Sequence, residues 1–98
     1  MLPLVRRIVG DILAEGQALN EGRPEGGPEA ARLRMESLIR ELADLGCLYK
    51  DWSYTVGLVD FPAWVDGKEV FLCWRSDEDR IGHYHPLDSG YMGRRPLR

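Results

Sequence analysis

The sequence predicts an α+β fold: an antiparallel helical hairpin, then a three-stranded antiparallel β-meander and an irregular C-terminal tail. Three observations predict it. Apolar residues recur at helical spacing in two runs, one through Val5, Val9 and Ile12, the other through Ala31, Met35, Leu38 and Leu42. A polar stretch full of breakers, NEGRPEGGP at 20–28, separates the two runs. An Asp66-Gly67 pair then joins two segments rich in β-branched and aromatic residues, the strongest short-range signal for a hairpin. At 98 residues the chain is a single domain, with the helical hairpin in 1–46 and the sheet and tail in 47–98. A chain of this size buries roughly 60–70% of its unfolded surface, enough for a small core.

The first helix carries Leu2, Val5, Val9, Ile12 and Leu19 on one stripe, widened by Leu4, Ile8 and Leu13. Pro3 suits a first helical position. Gly10 and Gly16 each cost roughly 0.5–1 kcal/mol relative to alanine, so this helix depends on packing. The second helix opens with Gly27 as cap, Pro28 in the first turn and Glu29 near the positive dipole end. Its stripe runs through Ala31, Met35, Leu38, Leu42 and Leu45, and Gly46 fits the left-handed C-terminal cap. Each helix is about 25 Å long at 1.5 Å per residue. Matched amphipathic helices joined by a short loop pack antiparallel. The plain reading of the stripes is an internal core; the sharper one pairs part of them with a second chain.

Residues 47–49 suit a short strand, and 50–55 a connector holding the aromatic pair Trp52 and Tyr54. Residues 58–65 and 69–75 are the clearest strands. Residues 76–79 form an acidic turn, 81–85 a third strand, and 86–98 a tail punctuated by glycine and proline.

A two-residue turn at Asp66-Gly67 fixes the pairing. Val65 then faces Lys68, Ala63 faces Val70, Phe61 faces Leu72 and Val59 faces Trp74, on an apolar face turned to the helices. The other face pairs Trp64 with Glu69, Pro62 with Phe71, Asp60 with Cys73 and Leu58 with Arg75. That mixed face is the place for a site. His83 and His85 are two residues apart and project to one side of the third strand. A four-residue turn at Ser76 sets them on the apolar face; a five-residue turn sets them on the mixed face, with His83 beside Cys73 and Asp60. The sequence leaves both open.

Composition removes several function classes. The formal charge is −3 with acidic and basic residues interleaved, which is no nucleic-acid footprint. Arg94, Arg95 and Arg98 are the one basic concentration and read as solvated charges. No stretch approaches the ~20 apolar residues of a membrane span. Arg6 and Arg7 break the apolar run that a signal peptide needs. Cys47 and Cys73 are too few for a disulfide framework and read as small buried hydrophobes, consistent with a reduced cytoplasmic protein.

The chemistry-bearing residues concentrate in 57–97. Asp60, Cys73, His83 and His85 would offer carboxylate, thiol and imidazole donors to zinc or iron if the histidines share the mixed face. A Cys-His nucleophile pair would need a partly exposed thiol with a base in reach. Asp60 sits mid-strand, where a buried carboxylate needs donors or a cation. In the structural reading an arginine or histidine pairs with it and pins the tail to the sheet. In the functional reading Asp60, Cys73, Trp74, Arg75, His85 and Arg94 frame a small polar ligand. Gly90 and Gly93 flank Tyr91 and suit tight turns that set Arg94. Their spacing is no phosphate loop, lacking the Gly-Lys-Ser/Thr ending. Trp52, Trp64 and Trp74 suit either ligand stacking or, more simply, packing.

These residues carry a family resemblance. Gly57, Val59, Asp60, Phe61 and Pro62, then Leu72, Cys73, Trp74 and Arg75, then Tyr84 and His85, then Gly90, Gly93, Arg94 and Pro96 resemble the pattern of an uncharacterised bacterial group, domain-of-unknown-function family 2203. LPLVRRIV and ELADLGC are similar to it too. The resemblance implies a cytosolic protein with helices ahead of a small sheet, and brings no activity, cofactor or substrate. His83 falls outside that pattern. The functional expectation is a non-enzymatic binding or assembly module that homodimerises through its helices. Its alternative is a small metal-binding protein or enzyme using Asp60, Cys73, His85 and Arg94.

Overall fold

Residues 2–51 and 53–97 are described by a computed structural model of the chain, so the expectations for Trp52 and Arg98 lie outside the described residues. The two apolar stripes become α1 (Leu2–Asn20) and α2 (Pro28–Asp44). Pro28 follows Gly27 directly, and Gly27 offers no side-chain cap, so Glu29 is what complements the first turn of α2. The end of α2 is a Schellman motif. The Gly46 N–H donates to Ala43 O and the Cys47 N–H to Leu42 O, both at 2.9 Å, with Gly46 at φ 81°. This reversal drops Cys47 beside Leu42 in the core and aims the chain into the sheet.

Among the described residues the sheet is an antiparallel meander of β1 (Leu48–Tyr49), β2 (Leu58–Val65), β3 (Lys68–Arg75), β4 (His83–Pro86) and β5 (Arg95–Pro96), hydrogen-bonded in that order. The central three strands are the expected ones. Asp66 at φ 51° and Gly67 at φ 77° make the turn that sets the β2–β3 register, and all eight pairs, from Leu58–Arg75 to Val65–Lys68, follow from it.

Two expectations are corrected. The third strand starts at His83 rather than Ile81, because the Glu78 carboxylate ties the preceding loop into its own turn, accepting from the Arg75 N–H at 2.8 Å. The tail is not irregular throughout: a 3₁₀ turn at Tyr91–Gly93 leads into β5, which pairs His83 with Pro96 and Tyr84 with Arg95. A short strand thereby covers the open edge of β4.

The apolar face of the sheet meets the hairpin as planned. Val59, Phe61 and Trp74 join Val5, Ile8, Val9, Ile12, Leu42, Cys47 and Tyr49 in one core. The Trp74 indole N–H donates to Glu78 O at 3.1 Å, and the Arg6 guanidinium stacks over its ring at 5.2 Å. Toward the loop end the helices are tied by Arg34, whose Nε and Nη2 fork onto Glu15 at 2.7 and 3.1 Å. The connector folds back here as well: the Tyr54 ring lies on Gly16, and its hydroxyl donates to Met35 Sδ at 3.3 Å. The stripe residues Val5, Val9, Ile12, Ala31, Met35 and Leu42 are buried within the one chain. No described helix is long and apolar enough to cross a membrane.

Candidate functional site

Register builds the site. Asp60 on β2 lies opposite Cys73 on β3, Cys73 lies opposite His83 on β4, and His85 pairs with Phe71. Of the two alternatives for the histidines, this is the register of a five-residue turn, on the mixed face. Side chains at alternate positions share a face, so Asp60, Cys73 and His85 converge from three adjacent strands.

All three are buried, with only 4%, 1% and 3% of their surface exposed. His85 Nε2 stands 3.0 Å from Asp60 Oδ2, and His85 Nδ1 stands 2.9 Å from Pro86 O. One donor atom from each of Asp60, Cys73 and His85 falls within 4.8 Å of the others. The Phe71 ring tilts against the imidazole, 5.5 Å between centroids. Burial, joined by the Asp60 charge and opposed by Arg94, pushes the Cys73 thiol up to about 11, so it is protonated at neutral pH.

These side chains floor a cleft of about 260 Å³. Leu58, Phe71 and Leu87 give it apolar walls, while Lys50 and Tyr91 stand at its rim with Ser89 and Gly90. The Lys50 ammonium lies 6.0 Å from the Phe71 ring.

The remaining candidates are placed elsewhere. Trp74 belongs to the apolar face and is fully buried in the core, so it does not line the cleft. Arg75 lies beside the cleft, paired with Asp77 at 2.9 Å and donating to the Tyr91 hydroxyl at 2.6 Å. Arg94 is held by Glu78, its Nη2 at 2.7 and 2.9 Å from the two carboxylate oxygens, and it also donates to the Cys73 backbone carbonyl, 3.3 Å away. His83, the fourth candidate metal ligand, turns toward the same carboxylate, with Nδ1 3.3 Å from Glu78 Oε2. It stands outside the Asp60–Cys73–His85 group.

The pin between tail and sheet is therefore Arg94–Glu78, while the partner of Asp60 is a histidine rather than an arginine. Burial raises the Glu78 carboxyl, but the bonds from Arg94 and the Arg75 N–H outweigh it and hold the group below its ordinary range. Sequence reasoning missed Glu78, which read as one more acid in a turn, Leu87 as a wall of the cleft, and Lys50 and Tyr91 at its rim. Only Tyr91 carried a signal, its place between two glycines.

A family model described as Uncharacterized conserved protein (DUF2203) matches residues 13–97, a span that contains the whole cleft. No curated protein matches the chain. No solved structure matches it either.

Proposed function

Because the chain belongs to the DUF2203 family, described only as uncharacterised and conserved, we propose its function from the site: a non-enzymatic binding module whose cleft takes one small ligand. The observation that carries this reading is the convergence of Asp60, Cys73 and His85, buried, on the floor of a cleft with apolar walls. Burying a carboxylate beside an imidazole is expensive, and a well-packed apolar pair would hold a small sheet at least as well. A ligand that uses those groups supplies a reason for them. It would present a cationic or electron-pair-accepting group to the Asp60–His85 floor and an apolar body to Leu58, Phe71 and Leu87, with any anionic end at Lys50.

Chemistry on a substrate has less support. A thiol pushed up to about 11 is a poor nucleophile at neutral pH. Ser89 shares the cleft, yet its hydroxyl donates to Pro86 O at 3.4 Å, and the His85 nitrogen that could serve as a base, Nε2, faces Asp60 instead. Homodimerisation through the helices is not part of the proposal. The centre of the stripe that would mediate it, from Val5 to Ile12 and at Ala31, Met35 and Leu42, is buried inside the chain, and Leu4 and Leu33 are the large apolar side chains left exposed among the described residues of α1 and α2.

The test is an amide-shift map of the full chain against a library of small fragments. Fragments are expected to move the amides of Leu58, Phe71, Leu87 and Tyr91, and Leu87→Trp, which narrows the mouth, should weaken them at least about tenfold. Shifts scattered away from the cleft, or hits indifferent to Leu87→Trp, would overturn the reading.

A further inference from the structure

We propose that Asp60, Cys73 and His85 bind a single divalent transition metal of the zinc class, with its open coordination position facing the cleft. The inference rests on the binding reading above and names the ligand that reaches its floor.

The argument begins with which atoms can donate. Pro86 O is a carbonyl and only accepts, so the His85 nitrogen 2.9 Å away, Nδ1, carries the ring proton. A neutral imidazole then presents a bare lone pair at Nε2. That lone pair faces Asp60 Oδ2 across 3.0 Å, and an ionised carboxylate also only accepts. Two acceptors at hydrogen-bond distance inside a protein require a cation between them. A second proton meets that need with two partners. A metal meets it with more, and a third donor is present: Cys73 Sγ falls within the same 4.8 Å group.

The donor set narrows the choice of ion. Thiolate with imidazole and carboxylate suits zinc and related ions, whereas calcium and magnesium favour oxygen ligands throughout. An Nδ1–H held by a backbone carbonyl, with Nε2 free to ligate, is the arrangement that orients metal-binding histidines. A thiolate and a carboxylate also neutralise a dication, so the loaded site carries no net charge in its buried setting. On loading, the thiol proton and any proton shared by His85 and Asp60 pass to water. Three protein ligands leave a fourth position of a tetrahedral ion for water or an added ligand, and all three residues line the cleft from which it would come.

The experiment uses the full chain, reduced, stripped with chelator and titrated with cobalt(II) chloride. A near-ultraviolet sulfur-to-cobalt charge-transfer band should grow and saturate at about one equivalent, then disappear when zinc is added. Cys73→Ala should abolish the band while Cys47→Ala, in the core, keeps it. His85→Gln should weaken cobalt binding by at least about tenfold, the scale seen even for groups that only support a ligand. Circular dichroism checks that each variant is folded. For any variant that is not, X-ray absorption of the zinc-loaded wild type decides, with one sulfur among lighter scatterers expected. Absence of the band, a band that survives Cys73→Ala in a folded protein, or a zinc shell of nitrogen and oxygen only overturns the proposal. Should the metal fail while fragments still move the cleft amides, the metal assignment falls and the binding reading stands. Should cobalt bind while every fragment leaves those amides unmoved, the cleft reading falls.

Discussion

Glu78 is the residue on which the loop, the sheet, the tail and the first helix all depend. Its carboxylate takes Arg94 from the tail and the Arg75 N–H from β3, and its carbonyl takes the Trp74 indole and Arg6 Nη2 from α1. A carboxyl whose folded pKa lies below its unfolded value stabilises the fold above the unfolded value, and that contribution is lost as pH falls through the folded one. The contribution of Glu78 is therefore complete above about pH 4.5, its ordinary value, and declines on further acidification. Glu78→Gln is expected to lower stability at pH 7 and to flatten the acid limb of the stability profile, as read by urea unfolding between pH 7 and 3. A variant whose acid limb matches that of the wild type would refute this. None of this was legible in the sequence, because Glu78 draws together positions 6, 74, 75, 83 and 94, and no sequence pattern links the near ones to the distant ones. Asp60 shows the opposite case. Its place opposite Cys73 follows from counting back along two strands from the Asp-Gly turn, whereas its partner does not, since that depends on a third strand whose register the Glu78 loop sets.

At the scale of elements, period and turn chemistry decided most of the outcome. The helical stripes, the Gly46 cap and the β2–β3 ladder are local consequences of sequence, and each formed as spacing required. β5 could not be read that way, because Arg95 and Pro96 become a strand only when the edge of β4 is beside them. The connector is another element fixed by tertiary contact. Tyr54 takes φ 61° and lies on Gly16, where an added Cβ would run into its ring. Gly16→Ala should therefore destabilise by about 1–3 kcal/mol, the range for overpacking, although alanine is the better helix former. With Tyr54→Gly, which accepts the positive φ and removes the ring, the same change should turn stabilising by roughly 0.5–1 kcal/mol. Chemical denaturation of the four proteins gives the coupling; strictly additive effects would mean that the ring does not guard that glycine.

At the scale of the molecule, an elongated body of 47 × 24 × 23 Å has its core where the open end of the hairpin meets the sheet. The sequence specified that junction through two apolar faces of matching character. It did not specify where the cleft closes, because the rim comes from Lys50 and Tyr91, far apart in the chain and brought together by the sheet. A shared core makes hairpin and sheet one cooperative unit. Zinc at 100 times its dissociation constant would add about 2.7 kcal/mol of stability. In a domain of this length that raises the thermal midpoint by roughly 10–20 °C. The rise should be equal in the helical circular dichroism and in the tryptophan fluorescence. A helical midpoint that stays in place while the fluorescence midpoint climbs would show that the two halves melt apart.

The meander has a kinetic consequence. Every strand bonds only to strands adjacent to it in the chain, so no ladder waits for a remote segment to arrive. Loop-closure entropy is small at each step, and topologies of this sort fold quickly for their β content. Residues 60, 73 and 85 are gathered by two successive reversals of the chain, which lets the floor of the pocket assemble as soon as the fourth strand zips on, while its rim waits for Leu87 to Tyr91 to settle.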